Sequence, residues 1–156
     1  MPPMLDPAAR GQTFKMGFPA DPAKVWQALG GLIAAPPVRI LGEADRGTVE
    51  LVLAEVLNNI VEHAYAGGTG PVEVDLWTTD HGLAFRVADS GRPMPDGTLP
   101  EGQLPDLPQT NDGLSVLADL PEGGFGWHLI RSMTQDMTYA RQGGRNRLSF
   151  VIPCGG

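Results

Sequence analysis

Three short groups of residues in this 156-residue chain have the types and spacing that chemistry needs. The first is Glu55 and Asn59, within LVLAEVLNNIVEHAY at residues 51–65. A carboxylate and an amide four residues apart stack on neighbouring turns of a helix, so both can reach into one shared cavity. The second is Asp89 with Gly91 in DSGRPMP, directly after a strand-like run. The third is EGGFGWHLIRSM, Glu122 to Met133, where Gly124 and Gly126 pass straight into an apolar-periodic run. Glycines opening a helix expose backbone N–H groups at the positive end of its dipole, which makes an anion pocket with phosphate as the obvious anion. The spacing matches neither the phosphate-binding GxxxxGK[ST] loop nor the dinucleotide fingerprint GxGxxG.

Each group needs an element to hold it. At roughly 100° per residue, Val49, Val52, Leu53, Val56, Leu57, Ile60 and Ala64 fall on one arc facing a core. Glu55, Asn59 and Glu62 line one border of that arc, His63 sits just inside it, and Asn58 points the opposite way. A solvated face would carry its charges opposite the arc, so this edge suits a buried site. The helix is expected from about Asp45 to Ala66, stopped by Gly67, Gly68, Gly70 and Pro71. Val72 to Thr79 and Leu83 to Asp89 both alternate with period two around a turn at Asp80 to Gly82, which predicts a hairpin delivering Asp89. Met137 to Arg141 and Asn146 to Ile152, around Gly143 and Gly144, predict a closing hairpin.

Upstream, residues 1–11 read as a loose leader and Gln12 to Phe18 as a first strand. Asp21 is placed to cap a helix through Val25, Leu29 and Leu32 that Pro36 and Pro37 end, with Trp26 as a packing residue. Six prolines fall between Pro93 and Pro121, and so long a connection without clear periodicity reads as a lid at about residues 92–123. Within it, LSVLADL forms a candidate short helix capped by Asn111 or Asp112. The order predicts an α+β fold: a two-layer sandwich of a mixed sheet with helices on one face, in a single domain over residues 12–156.

Composition narrows the function. The formal charge of −7 argues against a nucleic-acid phosphate backbone as partner. One cysteine, Cys154, excludes an internal disulfide framework. No signal pattern opens the chain and no apolar run nears the roughly 20 residues a membrane span needs, so a soluble cytoplasmic protein is the expectation.

An E-x-x-x-N helix, a hairpin ending in D-x-G-x-P, a long connection and then G-G-x-G at a helix start, in that order, resemble the GHKL (Bergerat-fold) ATP-binding superfamily. Within it, the chain looks like the stand-alone anti-sigma-factor serine/threonine kinases of the RsbW type, the histidine kinase-like ATPase domains. The resemblance implies ATP and Mg²⁺ as cofactors, Glu55 as catalytic base, Asn59 as the Mg²⁺ ligand, Asp89 as the carboxylate that reads adenine and Gly91 as room for the base. Gly124 and Gly126 would meet the phosphates, His63 would lie near the nucleotide, and Asn146 occupies the region where many relatives place a pocket Thr. It also implies a STAS-type anti-sigma-factor antagonist and a sigma factor as partners, and a homodimer. One departure stands out: Pro93 to Ile130 contains no Lys or Arg, so the lid cation of some relatives is missing. The alternative is a non-catalytic, nucleotide-sensing protein-binding module of the same fold.

Overall fold

Alternating apolar and polar side chains make strands, and the alternation here yields five. In the computed structural model, which describes residues 11–94 and 124–155, these are β1 (Thr13–Pro19), β2 (Pro71–Thr79), β3 (Gly82–Asp89), β4 (Gln135–Gln142) and β5 (Arg145–Pro153). They form one sheet in the order β1-β2-β3-β5-β4. Every neighbouring pair is antiparallel, which corrects the expected mixed sheet. The crossover from β3 does return a strand of the same direction, β4, but β5 folds back between them and pairs antiparallel with both.

Helices cover one face. α1 (Pro22–Ala34) starts as expected, with Asp21 Oδ1 accepting from the backbone N–H of Ala23 at 3.0 Å and of Lys24 at 3.2 Å. Pro36 and Pro37 end α1 but also open a further turn, α2 (Pro36–Arg39), because proline suits the first helical positions, where no N–H is needed. α3 (Glu43–Asn59) runs past the middle of the sheet, with Glu43 and Asp45 complementing its N-terminal dipole. α4 (Gly124–Met133) packs beside it. The candidate helix at residues 114–120 and the rest of the expected lid lie outside the described residues.

The core fills the space between the layers. Leu76, Phe85 and Phe150 stand side by side on β2, β3 and β5, with the two phenyl rings stacked at 5.2 Å. Val52, Leu53, Val56 and Leu57 of α3 press on them from above, joined by Leu29 and Leu32 of α1 and by Trp127 and Ile130 of α4. The opposite sheet face carries a smaller cluster of Trp77, Ala84 and Val151. Trp26 departs from expectation: it is 73% exposed. Helical spacing put Val25 and Leu29 on the core face of α1, and one residue further round the helix turns Trp26 out to solvent.

Candidate functional site

The site is built where α3 ends. Glu55 and Asn59 lie one turn apart on the edge of its buried face, and both are half-buried. Partial burial raises the carboxyl pKa of Glu55 above the ordinary glutamate value, first because desolvation disfavours the charged form and then because Glu62 adds a like charge. The amide nitrogen of Asn59 is buried with no hydrogen-bond partner among the described residues. A buried donor left unpaired costs about 1–3 kcal/mol, so an acceptor oxygen placed beside it would stabilise the site.

After Asn59 the helix loosens into one π-helical turn, Ile60–Ala64. The extra residue per turn rotates the side chains beyond Asn59 away from the expected arc. His63, expected near the cavity, has a side chain 63% exposed, and only its backbone carbonyl joins the site. Arg92 donates to that carbonyl from Nε at 3.3 Å and Nη2 at 3.1 Å, and the Arg92 backbone N–H donates to the Ala64 carbonyl at 2.7 Å. The end of the helix and the loop after β3 are thereby tied together. Tyr65 adds a second tie, donating to the Pro71 carbonyl at 2.7 Å and accepting from the Ser90 N–H at 2.8 Å.

β3 delivers Asp89, 5% exposed, to the start of the loop that is tied to the end of this helix. Its Oδ1 accepts from the Gly91 N–H at 2.9 Å and from Asn146 Nδ2 at 2.9 Å. Gly91 is glycine for a reason the sequence did not show: the space its Cβ would take is occupied by the Ala64 backbone. Asn146 lies opposite Asp89 in the β3–β5 register. Its Nδ2 donates also to the Arg92 carbonyl at 2.8 Å, while its Oδ1 accepts from Tyr139 at 2.5 Å and from Arg141 Nη1 at 3.1 Å. Both amide hydrogens and both oxygen lone pairs are thus taken by the protein.

Gly124 and Gly126 open α4. A Cβ on Gly126 would stand 2.7 Å from Glu55 Oε2, so glycine at this position lets the carboxylate rest against the start of the helix. The structure brings Gly126 against Glu55, one turn before Asn59 on α3, and separately joins Asp89, Gly91 and Asn146 in a loop tied to the end of the same helix. Tyr65, Arg92, Tyr139 and Arg141 hold the loop from Asp89 to Met94 in place, a role that sequence reasoning did not assign to them: Arg141 donates to the Gly91 carbonyl at 2.5 Å, and the Met94 N–H donates to the Tyr139 hydroxyl at 3.0 Å. For Arg141 a signal existed, since a two-residue turn at Gly143 and Gly144 fixes it opposite Asn146.

No cluster of three or more His, Cys, Asp or Glu that could cage a metal occurs among the described residues. The side chain of Asn59 carries one amide oxygen, a hard ligand of the type that magnesium accepts. Among the described residues no helix is long and apolar enough to cross a membrane.

Residues 18–152 match the family described as the histidine kinase-like ATPase domain. Two relatives are similar over shorter stretches. The serine/threonine-protein kinase BtrW of Bordetella bronchiseptica is 31% identical over 107 residues, which covers 68% of this chain and 69% of that protein. The serine-protein kinase RsbW of Bacillus mycoides is 28% identical over 93 residues, which covers 60% of this chain and 55% of that protein.

Proposed function

The chain belongs to the histidine kinase-like ATPase domain family, and on that premise we propose that it is a serine/threonine protein kinase that uses MgATP to phosphorylate an anti-sigma-factor antagonist. The observation that carries the proposal is the contact of Glu55 with the glycine start of α4. It sets a carboxylate of raised pKa beside the backbone N–H groups that would face a phosphate chain. Two relatives with kinase names support the same reading.

In this mechanism Asp89 accepts a hydrogen bond from the adenine amine. The first N–H groups of α4, including those of Gly124 and Gly126, orient the phosphates. Asn59 would hold the magnesium ion through its amide oxygen, and when bound the ion supplies charge neutralisation on the phosphates. The Glu55 carboxylate takes the proton of a serine or threonine hydroxyl on the partner as that oxygen bonds to the γ-phosphorus; the bond from that phosphorus to the bridging oxygen breaks and ADP leaves. His63, with its side chain in solvent, would act only at the rim. A sigma factor as second partner and a homodimer complete the proposal. Incubation with labelled ATP and the antagonist tests it: label is transferred, and Glu55→Ala abolishes transfer while sparing ATP binding. Failure of the wild-type protein to label an antagonist that it binds would overturn the kinase reading.

One observation favours a second reading, the absence of Lys and Arg from Pro93 to Ile130. Without a cation on the γ-phosphate, the fold would serve as a nucleotide-sensing module that holds its partner. Calorimetry with ATP and Mg²⁺ alongside the transfer assay separates the two, because binding without turnover is the module's signature.

A further inference from the structure

We infer that Asn146 is a positioning residue that sets base selectivity, acting through Asp89 and not by touching the nucleotide. The inference rests on the proposed nucleotide site and deepens it. Asn146 has no hydrogen-bonding capacity left for a ligand: Nδ2 serves Asp89 Oδ1 and the Arg92 carbonyl, and Oδ1 serves Tyr139 and Arg141. Its orientation is settled by chemistry, because the Arg141 guanidinium only donates and must meet the amide oxygen. The nitrogen therefore faces Asp89.

The consequence falls on the carboxylate. The terminal torsion of an aspartate is broad and roughly two-fold, so a carboxylate held by one hydrogen bond can swivel. Here two donors, Asn146 Nδ2 and the Gly91 N–H, converge on the same oxygen, Oδ1. That leaves Oδ2 as the acceptor available to a base, and a carboxylate oxygen offers a lone pair and no proton. An acceptor-only group fixed in direction welcomes an exocyclic amine and repels a carbonyl oxygen at the same position. A buried site built to pair with one polar group rejects the analogue that lacks it. The same bracket holds the loop itself, since Arg141 also binds the Gly91 carbonyl and Tyr139 the Met94 N–H.

The test compares ATP with ITP, which carries a carbonyl where ATP carries the amine, by calorimetry on the full chain with Mg²⁺. The wild-type protein binds ATP at least about tenfold more tightly than ITP. In Asn146→Ala the ATP affinity falls and the ITP affinity does not, so the ratio drops to about threefold or less. Tyr139→Phe, which keeps the Asn146 contact to Asp89 but loosens its support, gives an intermediate ratio and decides the matter if Asn146→Ala does not fold. Equal losses for both nucleotides would mean a purely structural role and overturn the inference, as would an unchanged ratio in a folded variant. Absence of ATP binding by the wild-type protein would instead overturn the nucleotide site itself and this inference with it.

Discussion

Replacing Gly126 by alanine separates the chemistry of the site from the stability of the fold. The added methyl would stand 2.7 Å from Glu55 Oε2, where ordinary contact begins at 3.4 Å. The obstacle is the end of a flexible side chain, so the carboxylate moves and the backbone stays. The required displacement is about 0.7 Å, and misplacing a reacting group by about 1 Å costs on the order of 100-fold in rate. Gly126→Ala is therefore expected to slow phosphoryl transfer by roughly 10- to 100-fold, or about 1.4–2.7 kcal/mol of barrier. Stability moves little. Alanine gains about 0.5–1 kcal/mol over glycine inside a helix, and forcing Glu55 off its rotamer gives back about 0.5–1.5 kcal/mol, so the net change stays within about 1 kcal/mol. ATP affinity holds within about threefold, since the backbone N–H is kept. Thermal melting, calorimetry with MgATP and single-turnover transfer from labelled ATP read the three quantities separately. Full transfer activity in the variant would refute the placement of Glu55 at the reacting centre, and a loss matched by an equal loss of ATP affinity would relocate the effect to the phosphates.

The same geometry sets the pH dependence and the fate of other glycines. A base must be ionised to accept a proton, and burial together with Glu62 raises the Glu55 pKa; the acid limb of the transfer rate should lie above the ordinary glutamate range, and Glu62→Gln should move it to lower pH. Because the folded pKa is the raised one, the stabilising contribution of Glu55 is present in acid and lost as pH rises through that pKa, so Glu55→Gln melts at or above wild type at neutral pH and shows no excess in acid. Glycine substitutions away from Glu55 should split by what surrounds them. Gly91→Ala drives a methyl into the Ala64 backbone and should lose about 1–3 kcal/mol in urea unfolding, whereas Gly30→Ala, in open space on α1, should gain about 0.4–1 kcal/mol.

Much of this was legible because the signals were local. Period-two runs placed β2, β3 and β5, the Asp21 cap started α1, and the spacing of Glu55 and Asn59 put them on one helix edge. The π turn at Ile60–Ala64 was not legible, since IVEHA carries no glycine or proline to announce it; what accompanies it is a tertiary tie, Arg92 onto the freed carbonyls. The antiparallel sheet was missed for a related reason. Periodicity identifies a strand without saying which neighbour it chooses, and β5 chose the gap between β3 and β4. Trp26 shows the same limit on a helix, where a one-residue step in phase decides between core and water.

The pairing of Asp89 with Asn146 spans 57 positions of chain, and closing a loop of that size is entropically cheap to extend. Doubling its length would add only about 0.6 kcal/mol. The number of residues between β3 and α4 is therefore nearly free to drift as far as holding the sheet together is concerned, and any tight limit on that number must come from what the segment does once the ends have met.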